Sequence, residues 1–419
     1  MITAIYLPAG DFAMSISKKI KASISHSSMI RKMFEEGNVL KKKHGADNVY
    51  DFSLGNPNVD HPREFKRELI KVADQEIFLK HGYTPNAGYP ETRQAVAKKI
   101  SRTTGLKIGA DHVVMSCGAG GALNVILKSL LDPGDEVIIF KPFFVEYPFY
   151  IENYNGVVKY VPTKPDFSLD MEAIAKAVNR RTKAIIINSP NNPTGRVYSK
   201  KNIADLVRLL KEKEKKLKKA IYLISDEAYA EILFDGIALP SLLKTYADSI
   251  IAYSYSKTLS LPGERIGYIA VNPKIHEADD LVTALILCTR IMGFVNAPAL
   301  MQRIVANLQH ITVDVNIYQK KRDLLCDGLA KAGYQFVKPQ GAFYLFVKSP
   351  IPDDVEFVGM LLKHNILVVP GSGFGCPGYF RIAFCVDDAT IVKSMRGFDA
   401  TIRQCPKPYS SKPVRRVSK

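Results

Sequence analysis

No apolar run in this 419-residue sequence approaches the length that crosses a bilayer. The first eleven residues lack the basic start and long apolar centre of a secretory signal. Metal-ligand and disulfide spacings are missing too: Cys117, Cys288, Cys326, Cys376, Cys385 and Cys405 stand far apart, several of them inside apolar runs. These absences argue against a membrane partner, a secreted disulfide scaffold and a metal module, and a reducing cytoplasm is the expected setting. Met14 is a candidate for the natural start, which would make the preceding stretch an extension.

Acidic residues are scarce, 41 Asp and Glu against 58 Lys and Arg, for a formal charge of +17. The excess is local. Residues 14–50 hold eight bases against three acids, 198–219 nine against three, and 401–419 six against none, while the remainder is neutral. The first two stretches read as solvated helix faces and the last as a disordered basic tail. No recognisable binding module accompanies the charge, so no nucleic-acid partner is expected, although a basic surface can steer anionic substrates.

The rest has the composition of an ordinary globular protein, 47% apolar and 24% charged, long enough for two domains or one large one. From 111 to 271 apolar runs alternate with helical patterns: Val113–Met115, Val137–Phe140, Val157–Val161, Ala184–Ile187, Tyr222–Ile224, Ile250–Tyr253 and Ile266–Val271. Seven buried strands with crossover helices predict an α/β fold built on a seven-stranded, mostly parallel sheet with helices on both faces. A helix over 313–333, another over 353–364, and strands at Ile366–Val369 and Tyr379–Val386 predict a smaller α+β domain packed on it. The expected division is a large domain over 53–309, a discontinuous small domain over 14–52 and 310–400, and the tail over 401–419.

Ligands of such sheets collect at the carboxyl ends of the strands. There the sequence places Gly118-Ala119-Gly120 opening a helix, which is either a phosphate cradle of bare N–H groups or a closely packed helix start. Phe144 follows another strand, as core or as a platform for a flat ring. Asn191-Asn192-Pro193-Thr194-Gly195 makes a rigid turn able to aim an amide at a ligand. Asp226 leaves an apolar strand, where it is either an N-cap or the partner of a buried cation. Ser254-Tyr255-Ser256-Lys257, with Arg265 eight residues on, joins two apolar runs. An amine held among apolar neighbours beside another cation is driven toward its neutral, nucleophilic form, and hydroxyl and guanidinium donors suit a phosphate. Such a set describes pyridoxal phosphate, an aldehyde for the lysine and a phosphate for the rest. Gly55, next to Asn56-Pro57, marks either a close backbone approach or a plain turn. Arg381, in an otherwise apolar strand, calls for an acid, either Asp387 or Asp388 or a substrate carboxylate.

In their order and spacing, Asn191–Gly195, Asp226-Glu227-Ala228-Tyr229, Ser254–Lys257 with Arg265, and Phe380-Arg381-Ile382-Ala383-Phe384 resemble the motifs of the fold type I, class I/II aminotransferases over nearly the whole chain. The resemblance implies pyridoxal 5'-phosphate as cofactor and Lys257 as the lysine that condenses with its aldehyde and then moves the substrate proton. It implies that Asp226 faces the pyridine nitrogen, Tyr229 and Asn192 the ring hydroxyl, and Phe144 the ring face. Ser254, Ser256, Arg265 and the backbone at Gly118, Ala119 and Gly120 would hold the phosphate. Arg381 would grip the substrate α-carboxylate, with Asn192 and Gly55 beside it. Tyr83 is similar to the tyrosine that reaches the partner subunit's phosphate, which implies a homodimer. The chain has no tryptophan, and Phe144 stands where aspartate-specific members often carry one, as in alanine, aromatic and kynurenine aminotransferases. Arg290 falls one position from the second arginine of dicarboxylate-specific members. The expected reaction moves an amino group from an L-amino acid, with aspartate, alanine and aromatic candidates, to a 2-oxo acid such as 2-oxoglutarate by a ping-pong route. A lyase acting on C–S bonds or a decarboxylase on the same scaffold is the alternative. A pyridoxal-phosphate-binding regulator is disfavoured, because too few residues precede Gly55 for a DNA-binding module.

Overall fold

The computed structural model describes residues 16–25 and 29–406. The basic tail beyond 406 lies outside the described residues.

Thirteen strands form along the described chain: β1 (Tyr50–Asp51), β2 (Val113–Ser116), β3 (Glu136–Lys141), β4 (Val157–Pro162), β5 (Thr182–Asn188), β6 (Tyr222–Asp226), β7 (Ser249–Ser254), β8 (Gly267–Val271), β9 (Gln335–Phe336), β10 (Tyr344–Lys348), β11 (Ile366–Leu367), β12 (Val369–Pro370) and β13 (Tyr379–Ala383). Seven of them make one sheet in the order β2-β8-β7-β6-β5-β3-β4. It is parallel except at β8, which runs against both of its neighbours.

Side chains alternate across this sheet, as a period of two requires when both faces are covered. Val137 and Ile139 face the helices Gly118–Leu130 and Ala278–Ile291, whereas Ile138 and Phe140 face Met171–Ala177 and Lys200–Leu217. The reading of seven buried strands is corrected at β4. This is an edge strand with no further strand paired to it among the described residues, and Val157 and Tyr160 are exposed.

A second, four-stranded antiparallel sheet has the order β12-β13-β10-β9, and Arg381 sits at its centre, in register with Phe346 on one side and Val369 on the other. The helices Val315–Ala332, Asp354–Leu362 and Asp388–Arg403 cover it. Its core takes in Phe52 from the amino-terminal segment and Tyr229, Ile232 and Phe234 from beyond β6, which ties the two sheets together at the end of β6. The last helix runs to Arg403, three residues past the expected edge of the tail, because Thr401 is buried and donates from its hydroxyl to the Gly397 carbonyl at 2.8 Å. Over the amino-terminal residues the expected helical pattern appears as Lys18–Ser25 and Met29–His44. Ile16, Ile20 and Ile24, spaced for one helix face, are exposed.

Candidate active site

The parallel strands end on one edge of the large sheet, and their last residues are polar. Asn188 closes β5 and Asp226 closes β6 directly opposite it, with Ser254 at the end of β7. Beside this edge a cavity of about 350 Å³ is bounded by the strand ends, by Leu54 and Gly55, and by Tyr344 and Arg381 of the small sheet. Gly55, Ala119, Gly120, Phe144, Asn192, Asp226, Tyr229, Ser254, Ser256, Lys257, Arg265 and Arg381 all line it. Gly118 stands just behind, against Arg265. Tyr83 does not reach it. That residue is 91% exposed, in a separate groove with Phe294 and Asn296.

Lys257 lies on the short helix Tyr255–Thr258, whose start is fixed by the Ser254 hydroxyl accepting from the Ser256 amide at 3.2 Å. Its amine donates to the Gly55 carbonyl at 2.8 Å and sits 5.3 Å from the centre of the Phe343 ring. Burial lowers its pKa to about 8, and Arg265 and Arg381 push in the same direction. Gly55 is needed here for close approach. A Cβ on it would stand 1.9 Å from the Tyr344 hydroxyl, so any larger residue would displace the carbonyl that holds the lysine. A pH dependence follows: apo-protein should capture added pyridoxal phosphate slowly while Lys257 is protonated, and faster as pH rises through about 8. Stopped-flow absorbance across pH 6–10 checks this; a flat profile would mean that the amine is not the group being titrated.

Asp226 is buried, and burial raises its pKa. Tyr147 opposes that shift by donating to its Oδ2 at 2.5 Å, and the Ala228 amide donates to Oδ1 at 3.2 Å. No helix begins at Asp226, so it is not an N-cap: the bond from Ala228 closes a turn, and among the described residues the buried carboxylate has no cationic partner. Tyr147 carries no motif; its signal is only a tyrosine three residues after the strand-end Phe143-Phe144 pair. Tyr344 is a second residue without a motif. Its hydroxyl lies 2.9 Å from that of Tyr229.

Arg381 is 2% exposed. Its guanidinium lies between the rings of Tyr344 and Phe374, 4.6 and 4.8 Å from their centres. It donates to Asn192 Oδ1 at 3.1 Å and to the Ser53 carbonyl at 2.6 Å, and its Nε, buried as well, has no partner. Neither acid suggested by the sequence pairs with it. Asp388 instead accepts from Lys321 at 2.8 Å, and Asp387 begins the last helix. A buried cation among neutral acceptors, with one donor unsatisfied, is the arrangement that an incoming carboxylate completes.

At the other end of the cavity the turn Gly118–Gly120 opens the helix Gly118–Leu130. Gly118 has φ +71°, and a Cβ there would meet the Arg265 guanidinium at 3.2 Å, so the glycine and the arginine share one space. The Ser254 hydroxyl donates to that of Ser256 at 2.8 Å. Bare helix amides, two hydroxyls and a guanidinium form a set of phosphate donors.

These features fit pyridoxal phosphate on their own terms. A lysine with a lowered pKa suits an aldehyde, an unpaired buried acid suits a ring nitrogen that carries a proton, and the donor cluster suits a phosphate. Fold and site thus define a pyridoxal-phosphate-dependent enzyme of fold type I. Residues 47–396 match the family model for class I and II aminotransferases. The chain belongs to that family, and it is an aminotransferase that uses pyridoxal phosphate. It is 32% identical over 363 residues to the aspartate/prephenate aminotransferase of Thermus thermophilus, covering 85% of this chain and 91% of that one. It is also 32% identical to the aspartate aminotransferase of Thermotoga maritima over 84% of this chain and 91% of that one. Among solved structures, an aminotransferase from Eubacterium rectale superimposes with a TM-score of 0.91 at 38% identity, over 94% of this chain and all of that one. The Thermus thermophilus aspartate aminotransferase crystallised with maleate gives 0.82 at 28%, over 93% and 100%.

Proposed function

We propose that the enzyme moves the amino group of an L-amino acid to a 2-oxo acid such as 2-oxoglutarate, with Lys257 as the residue that carries the substrate proton. The single observation behind this assignment is the meeting, in one cavity, of a buried lysine with a lowered pKa and an arginine with an unsatisfied donor. When bound, the cofactor supplies an aldehyde and a ring that draws off electrons from the substrate α-carbon. Arg381 binds the α-carboxylate and Asn192 orients it, which places the α-hydrogen toward Lys257. Lys257, half neutral near pH 8, takes the proton from the α-carbon and returns it one atom further along. Asp226 holds a proton on the ring nitrogen, and Tyr147 keeps that carboxylate in place. With the cofactor bound, Tyr229 and Asn192 would hold its ring hydroxyl, Phe144 its ring, and Ser254, Ser256, Arg265 and the amides of Gly118, Ala119 and Gly120 its phosphate.

The two sheets, each with its own core, support a division into a large domain and a small one near residue 309. The placement of Tyr83 supports a homodimer, in which that residue would complete the partner's phosphate site. Phe78 and Leu79 are exposed apolar residues on the same segment. Arg290 is likewise exposed, at the end of the helix Ala278–Ile291 and outside its own cavity. A distal carboxylate would meet it only across such an interface. Aspartate, alanine and aromatic amino acids are therefore the donors to compare, and the names of the relatives support testing aspartate first. A cytoplasmic location agrees with the free cysteines; among the described residues no helix is long and apolar enough to cross a membrane.

The test uses holoenzyme and one amino acid at a time with no oxo acid present. Each good donor should release one 2-oxo acid per active site and then stop, resuming when 2-oxoglutarate is added. Continuous release of ammonia, sulfide or carbon dioxide would overturn the proposal in favour of a lyase or decarboxylase.

A further inference from the structure

Tyr150 enters the cavity from the helix Tyr147–Glu152. A Cβ built on Gly120 would stand 3.3 Å from its hydroxyl and near nothing else. The phenol therefore fills the space above the phosphate cradle that a side chain at 120 would occupy. Two residues earlier the Arg265 guanidinium holds the same relation to Gly118. A guanidinium and a phenol thus flank the turn, one at each of its glycines. Among the described residues the Tyr150 hydroxyl makes no hydrogen bond. The acid one turn before it, Glu146, accepts the Tyr150 amide on its backbone carbonyl at 3.0 Å, and its carboxylate does not take the phenol. The hydroxyl is thus a donor at the cavity wall with no acceptor among the described residues.

We infer that Tyr150 is a further phosphate ligand of this enzyme, supplying from a neighbouring helix the side-chain hydroxyl that Gly120 lacks. The inference rests on pyridoxal phosphate as the cofactor. Burial, with Glu146 and Asp226 adding to it, pushes the phenol up to about 12, so it stays protonated and able to donate throughout the working range. A doubly charged phosphate is also the acceptor that makes such a bond strong.

The experiment titrates apo-protein with pyridoxal phosphate and, separately, with pyridoxal, which has the ring and aldehyde but no phosphate. Tyr150→Phe should weaken pyridoxal phosphate by about tenfold, the scale of a hydrogen bond to a charged group, and leave pyridoxal unchanged. Inorganic phosphate should compete with pyridoxal phosphate correspondingly less well in the variant. Adding Gly120→Ser to Tyr150→Phe should restore much of the loss, since Gly120 has no positive φ and removal of the phenol oxygen clears the space. Unchanged affinity for pyridoxal phosphate in Tyr150→Phe, or equal losses with both ligands, would overturn the assignment. Failure of the unaltered protein to bind either ligand would instead overturn the cofactor reading itself. Melting curves of the apo variants show whether each is folded.

Discussion

Lys257→Ala should reduce turnover by about four orders of magnitude, the upper range for loss of a positioned proton carrier, and should do so with the cofactor still bound. The arginines, Tyr229 and Asp226 that also line the cavity do not replace this amine. Guanidinium groups do not serve as general bases, which excludes Arg265 and Arg381. Tyr229 is held far above its ordinary pKa by burial and by the neighbouring Tyr344, and Asp226 lies at the strand end, committed to Tyr147. The phosphate donors are untouched by the substitution, so pyridoxal phosphate should remain, held non-covalently. Two measurements check this. Single-turnover kinetics should show the fall in rate. Borohydride reduction followed by denaturation should leave the cofactor attached to the unaltered chain and free in the variant. Transamination surviving at more than a few per cent of the original rate would remove Lys257 from its assigned role.

The large sheet was legible because its strands are buried on both faces and read as continuous apolar runs. The exception is instructive. The Val157–Val161 run looks like the others in sequence, yet its strand lies at the edge, since strand order depends on which crossover returns where and not on the composition of any one strand. The helix Asp388–Arg403 was not read from the sequence, and the edge of the tail at 401 was drawn from composition alone. Burial of Thr401 carries the helix beyond the point where the basic composition begins.

Legibility within the site followed the chemistry of each residue. Lys257, Asp226, Asn192, Arg265 and Arg381 were visible because a charged or amide side chain at the end of an apolar run needs an explanation. Tyr147, Tyr150 and Tyr344 were not, because a tyrosine among aromatics looks like core until its hydroxyl is placed. Each of these hydroxyls has a definite target: Asp226 for Tyr147, Tyr229 for Tyr344, and open cavity over Gly120 for Tyr150. The sequence also left the acid for Arg381 open between neighbours on the chain and a substrate. Register decided against the neighbours, since Asp388 starts the next helix and is taken by Lys321.

Arg381→Leu should therefore raise the KM for every amino acid and every oxo acid alike, because all of them carry the α-carboxylate. Loss of one partner from a buried, hydrogen-bonded charge pair costs about 2–5 kcal/mol, so the expected rise is about 30- to several-thousand-fold. Cofactor affinity should hardly change. The guanidinium contacts Asn192, Ser53 and two aromatic rings, while the phosphate donors lie at the opposite end of the cavity. The substitution also leaves the Ser53 carbonyl and the Asn192 amide oxygen without this donor, at a cost of about 1–3 kcal/mol each where water cannot reach them. Some stability should be lost as well. The two effects separate in Arg381→Lys, which keeps a cation but not the planar fork: it should recover part of the stability and only a small part of the affinity. A competitive inhibitor with a single carboxylate, measured against each variant, reads binding without turnover. If both variants bound it as tightly as the unaltered enzyme while melting earlier, Arg381 would be a support of the small sheet, and the carboxylate would have to be held elsewhere in the cavity.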